Sequence, residues 1–221
     1  MPEFQLLAQK IAVWAVPVLL AITVHEAAHG YAARSLGDDT AERAGRLSLN
    51  PFRHIDPVGT LLVPGLLLWL GGFLFGWAKP VPVNFGRLRS PLRDMALVAG
   101  AGPGSNLIMA IGWVALLWVY QAQGSPTGGW TLMRDMCVAG VTINVILMVL
   151  NLLPLPPLDG GRIAVALLPR SLAVPLSHLE RWGLLILIGL LATGLLGKIL
   201  FWPFVTVETL LYRSFGIHSL G

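Results

Sequence analysis

AITVHEAAHGYAA, residues 21–33, places two histidines and a glutamate within five positions of a stretch otherwise suited to the interior of a bilayer. Residues 11–24, which lead into it, carry no charge. The segment therefore reads as a membrane helix that ends in a polar cluster. On a helix, positions i and i+4 share a face, so His25 and His29 can reach one metal ion. Ionisable groups at membrane depth cost about 2.5–3.5 kcal/mol each, even on the lenient insertion scale. Three of them so close together need compensation, and a bound metal offers it.

Composition supports the membrane setting. Of 221 residues, 55% are hydrophobic and 12% charged, and the mean hydropathy is +0.73. This lies outside the soluble globular range. Besides 11–24, uncharged runs cover 58–78, 95–120 and 136–158, and 182–207 is interrupted only by Lys198. A crossing takes about 20 residues. The first run has no small-residue cleavage site and is read as a retained helix, not a signal peptide. A lone cysteine, Cys137, excludes a disulfide within the chain and a cysteine-based zinc site. The net charge is +4, but the cations gather in the connections 31–57 and 79–93 and after the fourth run, with Arg134 alone in 121–135. The positive-inside rule accounts for this pattern, so no nucleic-acid partner is called for.

The same charges bear on topology. Connections 31–57 and 79–93 are both basic and both prefer the cytoplasm, yet one full crossing by 58–78 would separate them. A re-entrant path for 58–78 resolves the conflict, with Pro64-Gly65 and Gly71-Gly72 as break points. The expected fold class is an all-α polytopic membrane protein: a transmembrane helix bundle with a re-entrant segment, allowing for a short membrane-associated β-hairpin. A single membrane-embedded domain is expected, with a core over about 5–165 and a helical C-terminal region over 166–221.

Two imidazoles suit zinc, which in catalytic sites takes three protein ligands and keeps one position open. Glu26 projects beside the pair and can take a proton from an activated water and return it to a leaving amine. Candidates for a third ligand are His54, Asp56, Asp94, Asp159, Glu180 and Glu208. Asp159 stands out by context. In NLLPLPPLDGGR, residues 151–162, three prolines end the fourth run and Gly160-Gly161 allows a sharp turn behind the aspartate. A helix terminator followed by a capping aspartate would read the same way in isolation.

HEAAH at 25–29 together with N-x-x-P-x-P-x-L-D-G at 151–160 resembles the site-2 protease family of intramembrane zinc metalloproteases. GWAKPVPVN (76–84) and GPGSN (102–106) extend the similarity, which covers roughly residues 20–165. The resemblance implies one zinc per chain held by His25, His29 and Asp159, with Glu26 as catalytic base. It also suggests substrate contact or oxyanion stabilisation by Asn106 and Asn151; for Asn144, plain bonding between helices is the simpler reading. The chain departs from larger members in lacking an inserted PDZ domain and an appended regulatory domain, which leaves substrate selection unexplained.

Geometry adds a constraint. If Asp159 meets His25 and His29, the first and fourth runs end on the same side, with an odd number of crossings between them. The third run supplies one, so parity agrees with re-entry of 58–78; by length alone an ordinary span is the alternative. In KPVPVNF (79–85) the donor-free nitrogens of Pro80 and Pro82 share one edge. The N–H groups of Val81 and Val83 lie on the other, so Lys79, Val81 and Val83 could receive an extended substrate by β-addition; a surface turn is the plain alternative. His54 is close enough in topology to assist. The expected activity is zinc-dependent cleavage of transmembrane protein substrates, with the site toward the cytoplasmic side of a prokaryotic cytoplasmic membrane and with room for an accessory or regulatory subunit. The alternatives are a membrane metal transporter, which should show inverted repeats, and a metal-binding scaffold, which has no use for Glu26.

Overall fold

The computed structural model describes residues 2–54, 56–62, 79–122 and 130–217. Its first element, α1 (Pro2–Ser35), is a single helix of 34 residues. At about 1.5 Å per residue it exceeds a hydrocarbon core of roughly 30 Å. The HEAAH turn therefore falls near the helix's C-terminal end. Gly37, at φ +112°, turns the chain there in a conformation that side chains rarely adopt.

Asp38 then locks the exit. Its fully buried carboxylate accepts hydrogen bonds from the Thr40 hydroxyl, from the Thr40 N–H (3.1 Å) and from the Asn84 N–H (2.6 Å). Burial pushes this carboxyl up, but those donors and the nearby Arg87 outweigh it and hold the pKa below the ordinary carboxylate value. The folded pKa being the lower one, the contribution is present above about pH 4 and is lost as pH falls through the folded value. Asp38→Ala should cost about 1.5–3 kcal/mol at neutral pH. Melting curves of the two proteins should converge as pH drops below about 4.

After the short helix α2 (Thr40–Arg43) the chain reaches His54, whose carbonyl accepts a hydrogen bond from the Lys79 N–H at 2.9 Å. Residues 54 and 79 therefore stand side by side. The segment 58–78, expected to re-enter, lies from residue 63 onward outside the described residues. Arg46 donates to the Lys79 carbonyl (2.9 Å), which helps to hold the returning chain.

Two long helices complete the centre. α3 (Pro91–Ala122) leaves from the HEAAH end, and α4 (Trp130–Asn151) returns to it. Both are apolar around most of their circumference, as membrane helices should be. Their shared seam includes Val114, Leu117, Val141 and Val145, and Leu211 and Tyr212 of α8 (Leu195–Ser214) close it. Ile108 and Trp202 are more than 70% exposed, the pattern of a surface covered by lipid. Between α4 and α8 lie α5 (Asp159–Leu167), α6 (Arg170–His178) and α7 (Glu180–Ala192). α6 and α7 form a broken pair bent by 67°.

Among the described residues four helices are long and apolar enough to span a bilayer, or five if the bent pair counts as one span. The all-helical membrane architecture is as expected. Among the described residues no strand forms, so the hairpin allowed for around 79–84 has no paired strand there. That stretch is held by side chains and isolated backbone contacts. Of the connection 121–135, residues 123–129 lie outside the described part.

Candidate metal centre

The i, i+4 spacing sets the rings of His25 and His29 edge to face, with centroids 4.7 Å apart. Their Nε2 atoms lie 3.1 Å from each other and each lies 3.3 Å from Oδ2 of Asp159. Asp159 opens α5 because the preceding prolines end α4 and Gly160 and Gly161 let the new helix fold back. A Cβ on Gly160 would meet the Leu152 carbonyl oxygen at 2.3 Å, and one on Gly161 the Pro156 nitrogen at 2.2 Å.

The far side of each ring is fixed by α3. His29 Nδ1 lies 2.8 Å from the Val98 carbonyl oxygen, which can only accept, so Nδ1 carries the proton. His25 Nδ1 lies 2.6 Å from Oδ1 of Asn106. The Asn106 amide nitrogen donates to the Ala21 carbonyl (3.3 Å) and to Oδ1 of Asn144 (3.0 Å), and Asn144 donates to the Gly140 carbonyl (2.8 Å). The oxygen of Asn106 therefore faces His25, and Nδ1 is the donor here too.

With both Nδ1 protons engaged, both Nε2 lone pairs point into the centre. The third atom there, Oδ2 of Asp159, is buried and has no hydrogen-bond partner among the described residues. Three acceptors at such distances need positive charge among them, as a proton on an imidazole or as a metal cation. The donor set fits zinc. Ligands about 2.0–2.1 Å from a tetrahedral ion stand roughly 3.3–3.4 Å apart. Carbonyl and amide partners behind the ring nitrogens are the usual support of metal-binding histidines. Among the described residues, these three alone form such a cluster.

Space at the centre is set by Gly102. A Cβ there would meet His29 Nε2 at 2.5 Å and His25 Cε1 at 2.6 Å. Gly102→Ala should therefore weaken zinc binding by at least about tenfold, an effect as large as losing an outer-shell partner. Equilibrium dialysis against a chelator would measure it.

The other expected site residues fall in different places. Glu26, next to His25, accepts the Val81 N–H on Oε2 at 2.8 Å. Val81 is buried, so the N–H expected to await a substrate is engaged by Glu26 instead. The Lys79 N–H is likewise used by His54, and Val83 packs beside the cluster of Ala33, Leu88 and Val98. Asn106 is fully buried and committed behind His25. Asn151 donates to the Leu147 carbonyl one turn back in its own helix (2.9 Å). His54 is buried outside the cluster, with Nε2 donating to the Ser48 carbonyl at 2.8 Å. Sequence reasoning did not single out Val98, whose contribution is a backbone carbonyl, or Asp38, which sat in an ordinary polar run.

A membrane-spanning helix bundle with a His/His/Asp donor set defines an integral membrane protein with a candidate zinc centre. The chain is 38% identical over 190 residues to "Putative zinc metalloprotease YwhC" of Bacillus subtilis, a match covering 85% of this chain and 83% of that protein. It is 33% identical over 182 residues to "Putative zinc metalloprotease Rip2" of Mycolicibacterium smegmatis, covering 81% of this chain and 66% of the relative. The protein belongs to this zinc metalloprotease family. No family model and no solved structure matches it.

Proposed function

We propose that the protein is an intramembrane zinc endopeptidase of the site-2 protease type, which hydrolyses peptide bonds of transmembrane protein substrates. His25, His29 and Asp159 hold the metal. The observation that carries this reading is the triangle of acceptors at 3.1, 3.3 and 3.3 Å, with both Nδ1 protons turned away from it. Zinc bound there supplies Lewis acidity and makes water a competent nucleophile near neutral pH. Glu26 takes the proton from the attacking water and delivers it to the leaving nitrogen. The carboxylate must exchange its Val81 partner to do so. Asn106 acts behind His25 as a positioning residue; Asn151, on the helix that ends beside the centre, remains the candidate for substrate contact. The basic connections favour a centre toward the cytoplasmic side, and the family resemblance favours a prokaryotic cytoplasmic membrane.

The test compares membranes containing the wild type with membranes containing Glu26→Gln by sequencing new protein N-termini. New termini within membrane-spanning segments, made only by the wild type, support the proposal. If every wild-type-dependent cut fell in soluble regions, the intramembrane reading would fail, and a zinc-loaded protein making no cuts would favour a transporter or scaffold.

A further inference from the structure

α7 lies beyond the segments that carry the motifs, yet it rests on the loop that presents Asp159. Gly183, in its first turn, is buried. A Cβ there would meet the Pro156 carbonyl oxygen at 1.9 Å and Pro157 Cδ at 2.4 Å. The helix can approach the loop this closely only because the residue is glycine. Gly161 of α5 also closes on Pro156, where a Cβ would meet its nitrogen at 2.2 Å, so the Pro156–Pro157 stretch is in close contact with both α5 and α7. A second contact lies at the start of α7, where Glu180 meets Arg162 at 3.5 Å. Arg162 stands one turn beyond Asp159 on α5, and its guanidinium covers the Phe85 ring at 5.1 Å.

We infer that α7, through Gly183, sets the position of Asp159 and with it the affinity of the metal centre. The inference rests on the zinc reading above. Gly183 touches backbone and not the donors, so it is a positioning residue. A methyl group there needs the 1.9 Å approach to open by more than about 1 Å to reach ordinary contact. Metal-ligand distances tolerate only about 0.2 Å. Because Gly161, two residues from Asp159, is packed as closely on the same loop, the displacement passes to Asp159.

The experiment titrates zinc into the full-length detergent-solubilised protein against a chelating dye. It compares the wild type, Gly183→Ala, Asp159→Ala and the double variant. Gly189→Ala is the control, since it lies on the same helix with nothing within 4 Å of its Cβ position. Gly183→Ala should bind at least about tenfold more weakly, while Gly189→Ala stays near wild type. In the Asp159→Ala background Gly183→Ala should add no further loss, because its effect runs through that carboxylate. Wild-type affinity in Gly183→Ala, or an equal loss with and without Asp159, overturns the inference. A wild type that binds no zinc overturns the underlying metal reading instead. Should Gly183→Ala not fold, Glu180→Lys sets like charge against Arg162 at an exposed position; a roughly threefold loss supports the inference and none overturns it.

Discussion

Asp159→Ala is expected to lose zinc almost entirely while its helices remain intact. Outer-shell changes at metal sites cost about 10–100-fold in affinity, and removing a ligand should exceed that range. Two imidazoles on one helix would remain, open on the side that Asp159 now closes. The measurement is zinc per chain after dialysis against a weak chelator, with circular dichroism alongside. About one zinc in the wild type and close to none in the variant would join two segments 130 residues apart into one site. Equal zinc in both proteins would remove Asp159 from the ligand set.

Glu26→Gln should behave in the opposite way, keeping zinc and losing hydrolysis. A positioned proton carrier contributes roughly 10²–10⁴ in rate. Glutamine keeps the size of the side chain and an oxygen able to accept the Val81 N–H, so the local structure should survive. The amide cannot take up the proton of the attacking water. Zinc content together with the rate of cleavage of a membrane substrate separates the two effects. A variant cutting at the wild-type rate would mean that another group is the base.

What could be read from the sequence was what local spacing dictates. The shared face of His25 and His29 follows from a period of 3.6, and the presentation of Asp159 from three prolines before it and two glycines after it. The charge pattern also carries the expectation that 58–78 re-enters, because two basic connections cannot easily lie on opposite faces of a membrane. What remained hidden depends on how helices face one another. An asparagine within a membrane run looks the same whether it meets substrate or a histidine, and the crossing of α1 and α3 turns Asn106 toward His25. Alternating prolines in KPVPVNF reveal which backbone donors exist, but not that Glu26 takes the one at Val81. The C-terminal crossings were unreadable because the bend between α6 and α7 carries no proline or glycine of its own; the nearest, Pro175 and Gly183, lie within the helices.

The hydrogen bond between His54 and Lys79 has a consequence for how such a chain can diversify. Because both ends of the intervening segment are anchored at one point, its length is decoupled from the geometry of the metal donors. A change in the length of this segment is therefore expected to leave Val81 against Glu26. The same junction is a natural point for grafting an insert from one relative onto another.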